Sequence, residues 1–150
     1  MNWNPLLILG IAALLLGMSA PAPGKGKRIA VRRIASGTQS RRPKATRHLI
    51  RTQQDWERLW KQAGREKAPP LAVDWRKEMV LALFMGRRPT AGYSIEVERV
   101  ERIRKALVVT VRSHSPGPGD LVAQVITTPF YVGAIPRSDL PVKFVDAKQR

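Results

Sequence analysis

Apolar positions fall into three regimes along the chain. From Pro5 to Met18 the run Pro-Leu-Leu-Ile-Leu-Gly-Ile-Ala-Ala-Leu-Leu-Leu-Gly-Met carries no charge. A mostly polar stretch follows, in which Ile29-Ala-Val-Arg-Arg-Ile34 alternates weakly and predicts a first strand, while Ser36–Lys44 reads as loop. Beyond residue 48 the patterning becomes strong. Thr52-Gln-Gln-Asp55 has the form of a capping box, a threonine hydroxyl facing free amides with an acid three positions on. Trp56, Leu59, Trp60 and Ala63 then recur at helical spacing, and Gly64 is a stop signal. This predicts one amphipathic helix whose tryptophans pack in the core.

The remainder reads as strand. Met79-Val-Leu-Ala-Leu-Phe-Met85 is a continuous apolar run of strand length, which predicts a central strand covered on both faces. Tyr93, Ile95 and Val97 alternate with polar residues, as do Leu107, Val109 and Val111 with Thr110 and Arg112. Arg104-Lys105 lies between these runs and predicts an antiparallel hairpin. Val122–Ile126, Phe130–Ile135 and Val142–Val145 give three further strands separated by prolines. Short connections favour antiparallel neighbours, since a parallel crossover needs about a dozen residues or more. The fold class predicted is α+β, a mostly antiparallel sheet of about six short strands with one packed amphipathic helix.

The first regime is an address. Fourteen helical residues, Pro5–Met18, span about 21 Å against a bilayer core of about 30 Å, so the run suits a signal-peptide hydrophobic region. Cleavage after Ser19 would put Gly17 and Ser19 at the small-residue positions. The flank Lys25, Lys27, Arg28, Arg32 and Arg33 is strongly basic and favours cytoplasmic retention, which keeps open an uncleaved anchor over residues 3–22. The expected organisation is a signal peptide or short anchor over residues 1–19, then a basic Pro/Gly-containing linker over 20–47 that includes the first strand. An α+β domain over 48–146 and a tail over 147–150 follow. The expected destination is the periplasm or cell surface.

Charge and composition narrow the chemistry. Among 150 residues, 27 are Lys or Arg and 11 are Asp or Glu, giving +16. Residues 25–47 hold nine of the basic groups and no acid. That segment could meet anionic lipid or envelope polymer, or track nucleic-acid phosphates. It has no interleaved aromatic residues to stack bases, which makes nucleic acid the weakest of these partners. The absence of cysteine from the sequence excludes disulfides, thiol nucleophiles and a lipoprotein anchor. Two histidines 66 residues apart offer no metal-ligand pair, and no metal or cofactor is expected.

Two local constellations remain. His114 stands beside Ser115, with Ser94 as another hydroxyl and Asp120 downstream, which admits a small serine hydrolase. No Gly-x-Ser-x-Gly elbow surrounds either serine, so a strand-end histidine is the simpler reading. Gly86-Arg-Arg-Pro-Thr-Ala-Gly-Tyr93 is more specific. It links the buried run to an alternating one, and offers Arg87, Arg88, Pro89, Thr90, Gly92 and Tyr93 as either a structural turn or an anion or peptide contact. Glu96 and Glu98 lie on the alternating polar face and read as solvated.

The segment Met85-Gly-Arg-Arg-Pro-Thr-Ala-Gly-Tyr-Ser-Ile95 resembles the Gly-x-Arg-Pro-Thr-Gly-Gly-Tyr-x-Ile motif of the PrcB C-terminal domain family, with Ala91 in place of a glycine. Trp56 and Trp60, Asp74-Trp75, Ser115–Gly119, Thr127–Phe130 and Ile135-Pro136 follow the family's order, so the resemblance spans roughly Trp56–Val145. The family is named for a companion subunit of a bacterial cell-surface protease, not itself a peptidase. The resemblance implies a non-enzymatic extracytoplasmic interaction domain, an accessory or stabilising subunit with a protein partner such as a surface protease. It brings no catalytic residues.

Overall fold

The computed structural model describes residues 26–65 and 72–148. The signal or anchor segment, the start of the linker and the last two residues of the tail lie outside the described residues. Among those described, no helix is long and apolar enough to cross a membrane.

Among the described residues, eight strands and one helix follow in the order β1 (Lys27–Ile29), β2 (Arg32–Gly37), β3 (Thr46–Ile50), α1 (Gln53–Gln62), β4 (Glu78–Phe84), β5 (Ser94–Ile103), β6 (Ala106–His114), β7 (Phe130–Pro136) and β8 (Val142–Asp146). They form two four-stranded sheets, β1-β5-β6-β8 and β2-β7-β4-β3. The α+β class holds, with two more strands than the pattern predicted.

Burial on both faces of β4 organises the layers. Val80, Ala82 and Phe84 join Trp56, Leu59 and Trp60 of the helix and Ala63 at its C-cap in one apolar cluster. Met79, Leu81 and Leu83 face the other way, onto Ile95, Val100, Leu107, Val109 and Val111 of the second sheet. Helix, sheet and sheet therefore stack as three layers. Full burial of each such aliphatic side chain stabilises by about 1.5–3 kcal/mol, so this strand alone supplies much of the core.

The helix begins at Thr52 with the forward half of the expected capping box; the acid meets the threonine hydroxyl, not its amide. Thr52 Oγ1 accepts from the Asp55 amide at 3.2 Å and donates to Asp55 Oδ2 at 2.8 Å. It ends at Gly64, whose φ of 73° lets the Arg65 amide return to the Trp60 carbonyl at 3.2 Å. Trp56 and Trp60 are buried with ring centroids 4.9 Å apart, as core residues.

Several expectations need correction. The segment Ile29–Ile34 is not one strand: β1 pairs with β5 in one sheet and β2 with β7 in the other, and the chain crosses between sheets at Ala30-Val31. Thr46–Ile50, which begins inside the segment read as linker, is the edge strand beside β4. Val122–Ile126 is not a strand, because it has no ladder partner among the described residues; just beyond it, Thr127 forms an isolated bridge to Arg88. β8 runs parallel to β6, against the antiparallel expectation, because the chain between them passes through β7 in the opposite sheet. The hairpin at Arg104-Lys105 forms as expected, with Ile103 opposite Ala106 and Arg104 at φ 53°.

The outer face of the second sheet is polar. A bulge between Val97 and Arg99 adds Glu98 to that face and resets the inward phase from Val97 to Val100. Arg99 reaches Glu98 at 2.8 Å and Glu101 at 3.0 Å, and Arg112 lies 2.8 Å from Glu98. Arg112 also stands opposite Glu96 in the ladder. These carboxylates are a charged surface lattice, consistent with their place on the alternating polar face.

Candidate functional site

The loop after β4 is locked from both sides. Gly86 adopts φ 77°, and a Cβ there would stand 2.8 Å from the Ala45 amide nitrogen, so only glycine lets the 43–45 backbone close over it. The Arg87 amide then donates to the Pro43 carbonyl at 3.0 Å. On the other side Arg88 and Thr127 exchange backbone hydrogen bonds at 2.8 and 3.0 Å, and the Ala91 amide donates to the Ala123 carbonyl at 3.0 Å. Buried Thr127 donates its hydroxyl to the Thr90 carbonyl at 2.9 Å. Thr128 accepts from the Ser40 amide at 2.7 Å and donates back to the Ser40 carbonyl, so the Thr127-Thr128 pair staples three loops together.

Within this frame the six motif residues divide. Arg88 turns inward: its Nη2 donates to the Met85 carbonyl at 2.9 Å and its guanidinium lies 5.8 Å from the centre of the half-buried Tyr93 ring. Thr90 is half-buried and bonds locally to the Ala91 carbonyl. Gly92 is exposed, at φ 87°, with Val122 and Pro116 close behind it. Ala91 has no positive φ, so alanine is accommodated without strain where the motif has glycine. Arg87 and Pro89 are exposed. The loop is thus a rigid turn that offers Arg87 and Pro89 to solvent, while Arg88, Thr90 and Tyr93 hold it together.

Sequence reasoning missed the segment beside it. Leu121 is 103% exposed, Ile126 57% and Val125 52%. Leu-Val-Ala-Gln-Val-Ile126 is a mostly apolar run, a pattern that signals a strand as readily as an exposed surface. A cleft of about 230 Å³ lies nearby, between β2 and the first half of β5, floored by Ile95 and Phe130 and flanked by Arg33 and Glu96. It opens because β1 covers β5 only from Val100 to Arg102.

His114 stands opposite Ser94 across the β5–β6 pair. His114, Ser94 and Ser115 are all exposed, and none of their side chains makes a hydrogen bond within the described fold. Asp120 is occupied with the Gly117 amide at 2.8 Å. The other histidine, His48, packs edge-on to Phe84 with centroids 6.0 Å apart. Burial, and then the Arg42 cation, hold its pKa below the ordinary histidine value.

The basic segment is folded in. Arg32 makes a bidentate pair with Glu78 across the intervening β7, Arg47 pairs with Asp146, and Arg42 donates to Gln62 at 2.9 Å while lying 5.4 Å over the Phe84 ring. Arg65 lies 5.1 Å from the Phe130 ring centre and 5.6 Å from that of Trp60.

Nothing among curated proteins or solved structures matches the chain. The helix, the Asp74-Trp75 turn and β8, which the resemblance had included, fall outside the matched segment of the family model. From the central strand β4 to the end of β7, residues 79–136 match the family described as PrcB C-terminal, with the Arg87–Tyr93 loop inside the matched segment.

Proposed function

We propose that this chain is a non-enzymatic, exported protein-interaction domain acting as an accessory subunit of a protease complex at the bacterial envelope. The observation that carries the reading is the PrcB C-terminal match over residues 79–136, in a family named for a protease-complex subunit. The rigidly held loop supports it, since Arg87 and Pro89 are presented on a preorganised backbone. The apolar run at Pro5–Met18 supports export. The hydrolase alternative has little behind it, because His114 faces Ser94 without a hydrogen bond or an orienting carboxylate among the described residues. Lipid, polymer or nucleic-acid contact through residues 25–47 is weakened by the engagement of Arg32, Arg42 and Arg47 within the fold.

Cross-linking and pulldown of the native protein from its envelope fraction tests the proposal, with the mature N-terminus read by mass spectrometry in the same sample. A protease subunit is expected in the cross-linked product, and Arg87→Ala is expected to deplete it. Recovery of the protein alone would overturn the partner assignment. Turnover of a small ester by purified protein, lost in His114→Ala, would overturn the non-enzymatic one.

A further inference from the structure

We infer that Leu121–Ile126 is an open docking edge, completed by an extended segment of a partner protein that alternates apolar side chains with carboxylates. This rests on the interaction-domain reading above and names the surface and the partner's chemistry. The segment has strand composition but no strand partner on its outer side. None of the amides from Val122 to Ile126 donates to a protein acceptor within the described fold. Two of its carbonyls are met instead by side-chain amides: Gln124 Nε2 reaches the Val122 carbonyl at 3.3 Å and Gln39 Nε2 reaches that of Ile126 at 3.2 Å. A primary amide donates as a backbone N–H does, so these positions already accept the kind of bond that an added strand would make.

The edge is held ready. Ala123 is tied to Ala91, Val122 packs behind Gly92, and Thr127 is bridged to Arg88, so the apolar side chains stand on an anchored backbone. Leu121, Val125 and Ile126 are three large exposed apolar side chains within six residues of chain, a local concentration that marks interaction surfaces more often than scattered single residues do. Charge selects the occupant. The loops Thr38–Ala45 and Met85–Ala91 border the segment through Gln39 and Ala91, and together they hold Arg41, Arg42, Lys44, Arg87 and Arg88 and no acid. Arg88 is spent on Met85 and Tyr93 and Arg42 on Gln62 and Phe84, but those partners are uncharged, so the field of the group remains positive and complements carboxylates.

The test is amide hydrogen exchange on the full chain with a synthetic peptide of alternating Asp and Val, and with its Lys/Val counterpart. The Asp/Val peptide is expected to slow exchange across Val122–Ile126 by at least about tenfold, and the Lys/Val peptide to leave it unchanged. Leu121→Asp combined with Val125→Asp should abolish that protection while the amides of β4 and β7 exchange as before; both positions are exposed, so the fold tolerates the change. Equal protection by both peptides, protection only elsewhere, no protection, or protection that survives in the double variant would each overturn the inference. The envelope pulldown separates it from the broader reading. A partner lost with Arg87→Ala but retained by the Leu121→Asp, Val125→Asp protein overturns the docking edge alone. Edge protection by the Asp/Val peptide without any envelope partner supports the edge and overturns the accessory-subunit assignment.

Discussion

Replacing Gly86 by alanine isolates the closure that presents the motif loop. Glycine there sits at φ 77°, and an L-residue in the left-handed region costs about 1–2 kcal/mol. The added Cβ would also stand 2.8 Å from the Ala45 nitrogen and 3.0 Å from both the Lys44 carbonyl carbon and the Pro43 oxygen. All three are backbone atoms, so no rotamer change relieves the contact. The 43–45 chain must retreat, which stretches the Arg87 amide bond to Pro43, worth about 1 kcal/mol. The expected loss is about 2–4 kcal/mol, a large fraction of a domain's stability. Urea unfolding at constant m-value measures it. Gly119 is the control: a Cβ there meets nothing within 4 Å and its φ is not positive, so Gly119→Ala is expected to stay within about 0.5 kcal/mol of the parent. A Gly86→Ala protein as stable as the Gly119→Ala protein would refute the account of why the loop closes.

Four further outcomes are expected. Arg88→Ala removes the bond to the Met85 carbonyl and the contact with Tyr93, for a loss of about 1–2 kcal/mol in the same assay; Arg88→Lys should recover less than half, since an ammonium lacks the planar fork. His48 has its pKa lowered from 6.5 by burial and Arg42, so as pH falls the unfolded chain binds a proton before the folded one does. The thermal midpoint should therefore fall as pH drops below 6.5 and level off below the depressed native value, and His48→Gln should remove that component. Glu78, held low chiefly by the Arg32 hydrogen bond, contributes stability above its ordinary 4.5 that is lost as pH falls through its native value. Arg104→Asn should raise stability by about 0.5–1 kcal/mol, because asparagine tolerates the left-handed φ at which arginine is held in the β5–β6 turn; a neutral result would mean that Arg104 has a compensating contact.

What could be read from the chain follows from which signals are local. The unbroken run Met79–Met85 could only be buried on both sides, and Thr52 with Asp55 fixes a helix start by its own side-chain bonds. The β5–β6 hairpin was legible because its two alternating runs flank two polar residues. β3 was hidden because it is short, carries Arg47 and His48, and is an edge strand whose burial depends on β4. The crossing at Ala30-Val31 could not be read either, since nothing in Ile29–Ile34 tells which half meets β5 and which meets β7. In the candidate site, the motif was visible but the division of labour within it was not. Only the fold shows Arg88 spent inward while Arg87 stays exposed. The apolar side chains of Val122–Ile126 signalled a strand, and the missing neighbour turned that signal into an exposed edge.

The crossing of β1 and β2 between the sheets also dictates the order of assembly during synthesis. Lys27 has no ladder partner until Arg102 has been made, and Arg32 none until Ala134 has. A nascent chain therefore emerges with its first strands idle, and such distant pairings form late and slowly.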